Sequence, residues 1–101
     1  MKRIDKQDYD NLKATKDDFL LIFDSEWCVA CKSLKLDLKK LPYQIEDLYI
    51  IDEEEDDRLN EIFNIEYLPT LVIIDNVKHK YNKIEGNKNI VKYLKNIYNG
   101  R

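Results

Sequence analysis

Phe19-Leu20-Leu21-Ile22-Phe23-Asp24-Ser25-Glu26-Trp27-Cys28-Val29-Ala30-Cys31 is the stretch on which the fold of this chain is decided. Its first five residues are continuously apolar, the pattern of a strand covered on both faces. Its last four are a Cys-x-x-Cys that opens a segment of helical spacing, and these are the only two cysteines in the 101 residues. Such a pair at a strand-to-helix junction is a redox arrangement more than a structural one. Two intervening residues let both sulfurs meet across the first helical turn, where unpaired backbone N–H groups favour a thiolate on the first of them. The alternative is half of a tetrahedral zinc site. Zinc needs two further ligands, and apart from carboxylates the chain offers only His79. A third alternative is an iron–sulfur cluster bridging two chains through four cysteines.

Beyond the cysteines, Cys31, Leu34, Leu38 and Leu41 fall on one helical stripe with lysines on the other face, and Pro42 ends the run. Leu48 to Ile51 reads as a second buried strand. Asp57 to Phe63 is a short helix with Leu59, Ile62 and Phe63 on one side, and Leu71 to Ile74 is a third strand. Asp75-Asn76 is a turn signal, after which Val77 to Ile84 alternates as an antiparallel edge strand with His79 on its surface. Gly86 punctuates, and Asn87 or Asn89 caps a last helix whose apolar face is Ile90, Val91, Leu94, Ile97 and Tyr98. Before the quoted stretch, residues 5–14 form a short helix with Tyr9 and Leu12 at i, i+3, preceded by a short strand at residues 2–4. The order α-β-α-β-α-β-β-α implies parallel crossovers where helices join strands and a hairpin at the end. The expected class is α/β, a small central mixed β-sheet flanked by helices on both faces.

A length of 101 residues predicts one domain over 1–101. The net charge of −3, with no basic stripe, argues against nucleic acid. Met1-Lys2-Arg3-Ile4-Asp5 has no apolar region behind it, and the first apolar run is too short for a signal peptide or a membrane helix. The expected location is therefore cytoplasmic, without membrane attachment. Thiols are normally reduced there, so the pair is expected to be catalytic or metal-binding rather than a structural staple.

The element order, the Trp27-Cys28-x-x-Cys31 pentad after the first long strand, and Leu68-Pro69-Thr70 before the third together resemble the thioredoxin family, from about Met1 to Tyr98. Glu26-Trp27-Cys28 and Cys31-Lys32 match that family's active-site segment. Asp52 stands where its central strand usually ends in Asp. Pro69 matches the cis-proline that faces the disulfide, and Gly86 a glycine before the last helix. The chain departs from the pattern at three places. Val29-Ala30 replaces the usual Gly-Pro, Ile22 replaces the buried acid beneath the site, and Leu48 replaces that acid's lysine neighbour. Acid and lysine are credited in the family with relaying protons to the second cysteine, so their joint loss bears on the rate and pH dependence of disulfide release.

The resemblance implies a thioredoxin fold and a protein disulfide reductase working by thiol–disulfide exchange. Cys28, at the helix N-terminus, is the expected nucleophile, and Cys31, one turn further in, the resolving thiol. Pro69, Leu68 and Thr70 are expected to bind substrate, with the Leu68 backbone turned outward for an extended segment to pair with. Trp27 and Tyr67 are expected to flank the same spot as an apolar docking surface, although either aromatic alone also reads as ordinary packing. No bound cofactor and no metal is expected beyond the redox-active pair. The implied partners are a thioredoxin-type reductase and disulfide-containing proteins, and the protein is expected to be a monomer. Two alternatives stand beside this reading: a dedicated electron donor for one enzyme, and a non-catalytic binding module of the same fold. The acidic run Asp52-Glu53-Glu54-Glu55-Asp56-Asp57 follows a strand parallel to the one feeding Cys28. It is therefore a candidate for selecting basic partners, as well as favourable charge at a helix N-terminus.

Overall fold

The computed structural model describes residues 1–99. Gly100 and Arg101, the last two residues of the expected 1–101 domain, lie outside the described residues. The apolar stretch at the centre of the sequence forms β2 (Asp18–Asp24), the middle strand of a five-stranded sheet. Around it stand β1 (Lys2–Arg3), α1 (Lys6–Thr15), α2 (Val29–Lys39), β3 (Leu48–Asp52), α3 (Asp57–Phe63), β4 (Thr70–Asp75), β5 (Lys80–Glu85) and α4 (Asn87–Asn99). The strand order is β1-β3-β2-β4-β5. This is the mixed sheet expected from the sequence.

Both faces of the sheet are covered, which is why β2 reads as continuously apolar rather than alternating. Phe19, Leu21 and Phe23 face one core together with Tyr9 of α1 and Leu59 and Phe63 of α3. Leu20 and Ile22 face the other, with Leu34 and Leu38 of α2 and Ile90 and Leu94 of α4. In the first core Phe63 meets the rings of Tyr9, Phe23 and Tyr81 edge-on, at centroid separations of 5.7, 5.9 and 4.9 Å. Burial in this core pushes the Tyr9 phenol above its usual range, with Asp10 and Tyr81 adding to the effect. No helix among the described residues is long and apolar enough to cross a membrane.

The structure departs from the sequence reading at a few positions. β2 and β3 run parallel across α2, as expected, but β4 is antiparallel to β2, so α3 does not make a parallel crossover. α3 has only seven residues, roughly 10 Å of rise, and cannot carry the chain back along the sheet. The chain stays at the end where β3 finished, and β4 starts there with Thr70 opposite Phe23.

β5 begins at Lys80 instead of Val77. Residues 76–79 are a turn: the Asp75 carboxylate accepts the Lys78 N–H at 3.1 Å, and His79 sits at φ 55°, outside any strand. The alternation of Val77 and His79 therefore reports no sheet face, and Val77 is exposed.

Leu41 lies past the end of α2, whose C-cap is Lys40, yet it still packs on the second core. Asp5 caps α1 rather than belonging to it: its carboxylate accepts the Asp8 N–H while Asp8 accepts the Asp5 N–H.

Candidate active site

β2 ends at Asp24, and Ser25 to Trp27 turn the chain into α2. The Cys28 N–H donates to the Ser25 carbonyl at 3.3 Å, which closes that turn. Cys28 is then the N-cap of α2, and its Sγ accepts the Cys31 N–H at 3.2 Å. A sulfur in the N-cap position takes one of the four amides that the first helical turn leaves without a partner. The same amide and the helix dipole stabilise negative charge there once the sulfur is reduced.

Cys28 and Cys31 are joined as a disulfide, with Cα atoms 5.2 Å apart. The two sulfurs are not equivalent. Cys28 keeps 8% of its surface and Cys31 1%, so an incoming reagent meets Cys28 first. Cys31 shares its helix stripe with Leu34 and Leu38, packed onto the sheet.

Parallel pairing of β2 and β3 places Asp24 beside Asp52, so the acidic run begins at the disulfide's end of the sheet. Within that run Asp56 caps α3 by accepting the Leu59 N–H at 3.2 Å. Glu54 reaches the site itself and accepts a hydrogen bond from the Trp27 indole N–H. Trp27 is otherwise 67% exposed. An indole with its polar edge satisfied and its faces in water suits contact with a partner better than packing.

Tyr67 is exposed, whereas Leu68 is half-buried against the first core. Pro69 and Thr70 are buried. The Leu68–Pro69 peptide bond is cis, as the resemblance implied. The Pro69 carbonyl accepts the Gly86 N–H at 3.0 Å, and the Thr70 hydroxyl donates to the Tyr67 carbonyl at 2.5 Å. β4 begins opposite the end of β2. This register brings residues 67–70 to the same end of the sheet as the disulfide. His79 lies in the β4–β5 turn, at the opposite end of β4 from Thr70. Among the described residues no three His, Cys, Asp or Glu side chains converge to hold a metal ion.

Sequence reading passed over one charged group at the site. Asp24 is 1% exposed, its carboxylate held by Lys35 Nζ at 2.5 Å and Arg3 Nη1 at 3.2 Å. The available signal was an acid directly after five apolar residues on the strand that feeds the cysteines.

The family model described as Thioredoxin matches residues 1–97. Among similar solved structures, the germline-specific thioredoxin Deadhead of Drosophila melanogaster is 21% identical with a TM-score of 0.75, over 99% of this chain and 97% of that one. Mitochondrial thioredoxin 3 of Saccharomyces cerevisiae, in its oxidized form, is 20% identical with a TM-score of 0.74, over 93% and 91% of the two chains. Plasmodium falciparum thioredoxin is 24% identical with a TM-score of 0.73, over 95% and 86%. At these identities the structures bear on the fold alone. No curated protein matches the chain. The family model covers the disulfide, the cis-proline segment and all five strands, and the chain belongs to the thioredoxin family.

Proposed function

We propose that this protein is a cytoplasmic, monomeric protein disulfide reductase built as a single domain, whose Cys28–Cys31 pair carries two electrons without any bound cofactor. The observation that carries the reading is the placement of the pair: Cys28 caps α2 and is the more accessible sulfur, while Cys31 is buried one turn in. In the dithiol state the Cys28 thiolate attacks one sulfur of a substrate disulfide. A mixed disulfide forms and a substrate thiolate leaves. Cys31 then gives up its proton and attacks Cys28, which closes the Cys28–Cys31 disulfide and releases the second substrate thiolate. A thioredoxin-type reductase returns the pair to the dithiol.

Trp27 and Tyr67 supply the apolar contact area for a protein substrate. The Leu68 backbone, lying before the β4 ladder begins, supplies an edge for an extended segment. Turnover of insulin disulfides with dithiothreitol as the electron source tests the reading, because a catalyst accelerates it and a non-catalytic module leaves it at background. The dithiol potential against glutathione gives the direction of electron flow: near about −270 mV supports a reductase and near about −120 mV an oxidant.

A second reading, a dedicated donor to one enzyme, is favoured by the Trp27–Glu54 contact, which ties the acidic run to the docking surface. If the run selects basic partners, Glu53→Gln/Glu54→Gln/Glu55→Gln lowers kcat/KM for a basic protein disulfide by roughly 10-fold at low salt, and the difference shrinks at 0.5 M salt. Reduction of a small neutral disulfide stays unchanged. An equal loss on both substrates at every salt concentration would show that the run has no role in selection.

A further inference from the structure

We infer that the buried Asp24 carboxylate and its half-buried partner Lys35 form an ion pair that sets the proton affinity of Cys31, and with it the pH at which a mixed disulfide on Cys28 is resolved. The inference rests on the exchange reading given above. Asp24 Oδ2 lies 2.5 Å from Lys35 Nζ, and Asp24 Oδ1 lies 3.2 Å from Arg3 Nη1. Asp52 stands beside Asp24 in the β2–β3 register, with its Oδ2 3.9 Å from the same Arg3 nitrogen. Two carboxylates and two cations from β1, β2, β3 and α2 thus close into an electrically neutral group. Arg3 and Asp52 retain contact with solvent, whereas the Asp24 carboxylate is 1% exposed.

Burial on that scale is not explained by stability. Desolvating a carboxylate costs several kcal/mol, and apolar replacements of buried ion pairs are often neutral or better. Position gives the explanation. Ile22 and Asp24 point to the same face of β2, where Ile22 packs with Leu34 and Leu38 of α2. Lys35 follows Cys31 by four residues on α2, which puts their Cβ atoms about 5–6 Å apart. Cys31 is 1% exposed, so solvent screens its sulfur little from charges nearby.

Cys31 must become a thiolate to attack Cys28. The Lys35 ammonium favours that state and the Asp24 carboxylate opposes it, so the pair balances the two effects beside the buried sulfur. Among the described residues, Arg3 and Asp52 are the other charged groups in ion-pair contact with this cluster. The buried residues of α4 and β4 on this face are the apolar Ile90, Leu94 and Leu71; Ile73, Val91 and Tyr93 pack against them half-buried, and burial pushes the Tyr93 phenol up, away from ionising.

Reaction of the dithiol protein with excess 5,5′-dithiobis(2-nitrobenzoate) separates the two steps. In the first phase Cys28 expels one aryl thiolate at a rate proportional to reagent. In the second phase Cys31 loses its proton to solvent, closes the protein disulfide and expels the other aryl thiolate at a rate independent of reagent.

Lys35→Met is expected to move the pH midpoint of the second phase by about one unit toward alkaline. At neutral pH that phase slows by about 3-fold, the smaller thiolate fraction being partly offset by a more nucleophilic sulfur. Asp24→Asn moves the midpoint the other way, and Lys35→Arg keeps it in place. Lys35 is partly exposed, so Lys35→Met carries the test even if Asp24→Asn fails to fold. A second phase whose pH profile is the same in Lys35→Met as in the unmodified protein overturns the proposal while leaving the exchange reading intact. The same displacement in Lys35→Arg also overturns it, since charge is then not the cause. Absence of any reagent-independent second phase in the unmodified protein overturns both.

Discussion

Replacing Cys28 by serine is expected to bring insulin reduction down to the uncatalysed rate, whereas replacing Cys31 by serine arrests the cycle half-way. The asymmetry follows from the structure. Cys28 is the accessible N-cap sulfur that receives the Cys31 N–H, and Cys31 is packed beneath it. A serine hydroxyl at 28 is not ionised near neutral pH and cannot attack a disulfide, so no first covalent step occurs. A serine at 31 leaves that step intact and removes only the second. Cys31→Ser is therefore expected to accumulate mixed disulfides with protein substrates, visible as higher-mass bands on a non-reducing gel that dithiothreitol collapses. Partner trapping by Cys28→Ser and not by Cys31→Ser would reverse the assignment of nucleophile and resolving thiol.

Introducing at position 22 the buried acid that the family resemblance implies there is expected to cost this chain about 3–8 kcal/mol. Ile22 is 2% exposed and lies between Ile50 of β3 and Leu71 of β4 in the sheet register. Removing a buried Ile side chain costs about 2–5 kcal/mol, and a polar group without a partner in its place adds about 1–3 more. Leu48, where a lysine would answer the acid, offers no charge.

Asp24, two residues along on the same face, is already paired with Lys35 and Arg3 and gives the new acid no partner. Burial raises the folded-state pKa of the new carboxyl above its unfolded value. Its ionisation then opposes folding increasingly as pH rises through the folded-state pKa, and least at pH values below the unfolded one. Urea midpoints are expected to show the gap to the unmodified protein widening from pH 5 to pH 8. Ile22→Val, at about 1 kcal/mol, is the control. A domain of this size has about 5–15 kcal/mol in total, so Ile22→Asp is left near the edge of folding. A loss no larger than that of Ile22→Val at every pH would mean that position 22 can hydrate, against its place in the core.

The elements that periodicity described well are those whose burial is one-sided or complete over several residues. α2 shows this in Cys31, Leu34 and Leu38, and α3 in Leu59 and Phe63, although Ile62, expected on the same side, is exposed. β2, covered on both faces, shows it as an unbroken apolar run. At 77–79 the pattern was accidental. Three residues of alternating character occupy a turn because the Asp75 carboxylate and a left-handed His79 close the chain locally. Short polar interactions of that kind outweigh a weak two-residue period. At the site, the cysteines and Pro69 were legible because each is a residue type with a restricted set of uses. Asp24 was not, since an acid at a strand end usually meets water, and its cations come from Arg3 and Lys35, 21 residues before and 11 after it.

By itself the sequence determined the placement of the two sulfurs and the layers. Two cysteines three apart at a strand-to-helix junction place one sulfur on free amides whatever surrounds them, and the apolar spacing of β2 and α2 says which of their faces are buried. Both are local properties, carried within a few residues of chain. Only the tertiary structure decided the direction of β4, the contact between Trp27 and Glu54, and the enclosure of Asp24 between Arg3 and Lys35. Each depends on which strand lies beside which and in what register. That is settled by packing both faces of the sheet at once, and no single segment records it.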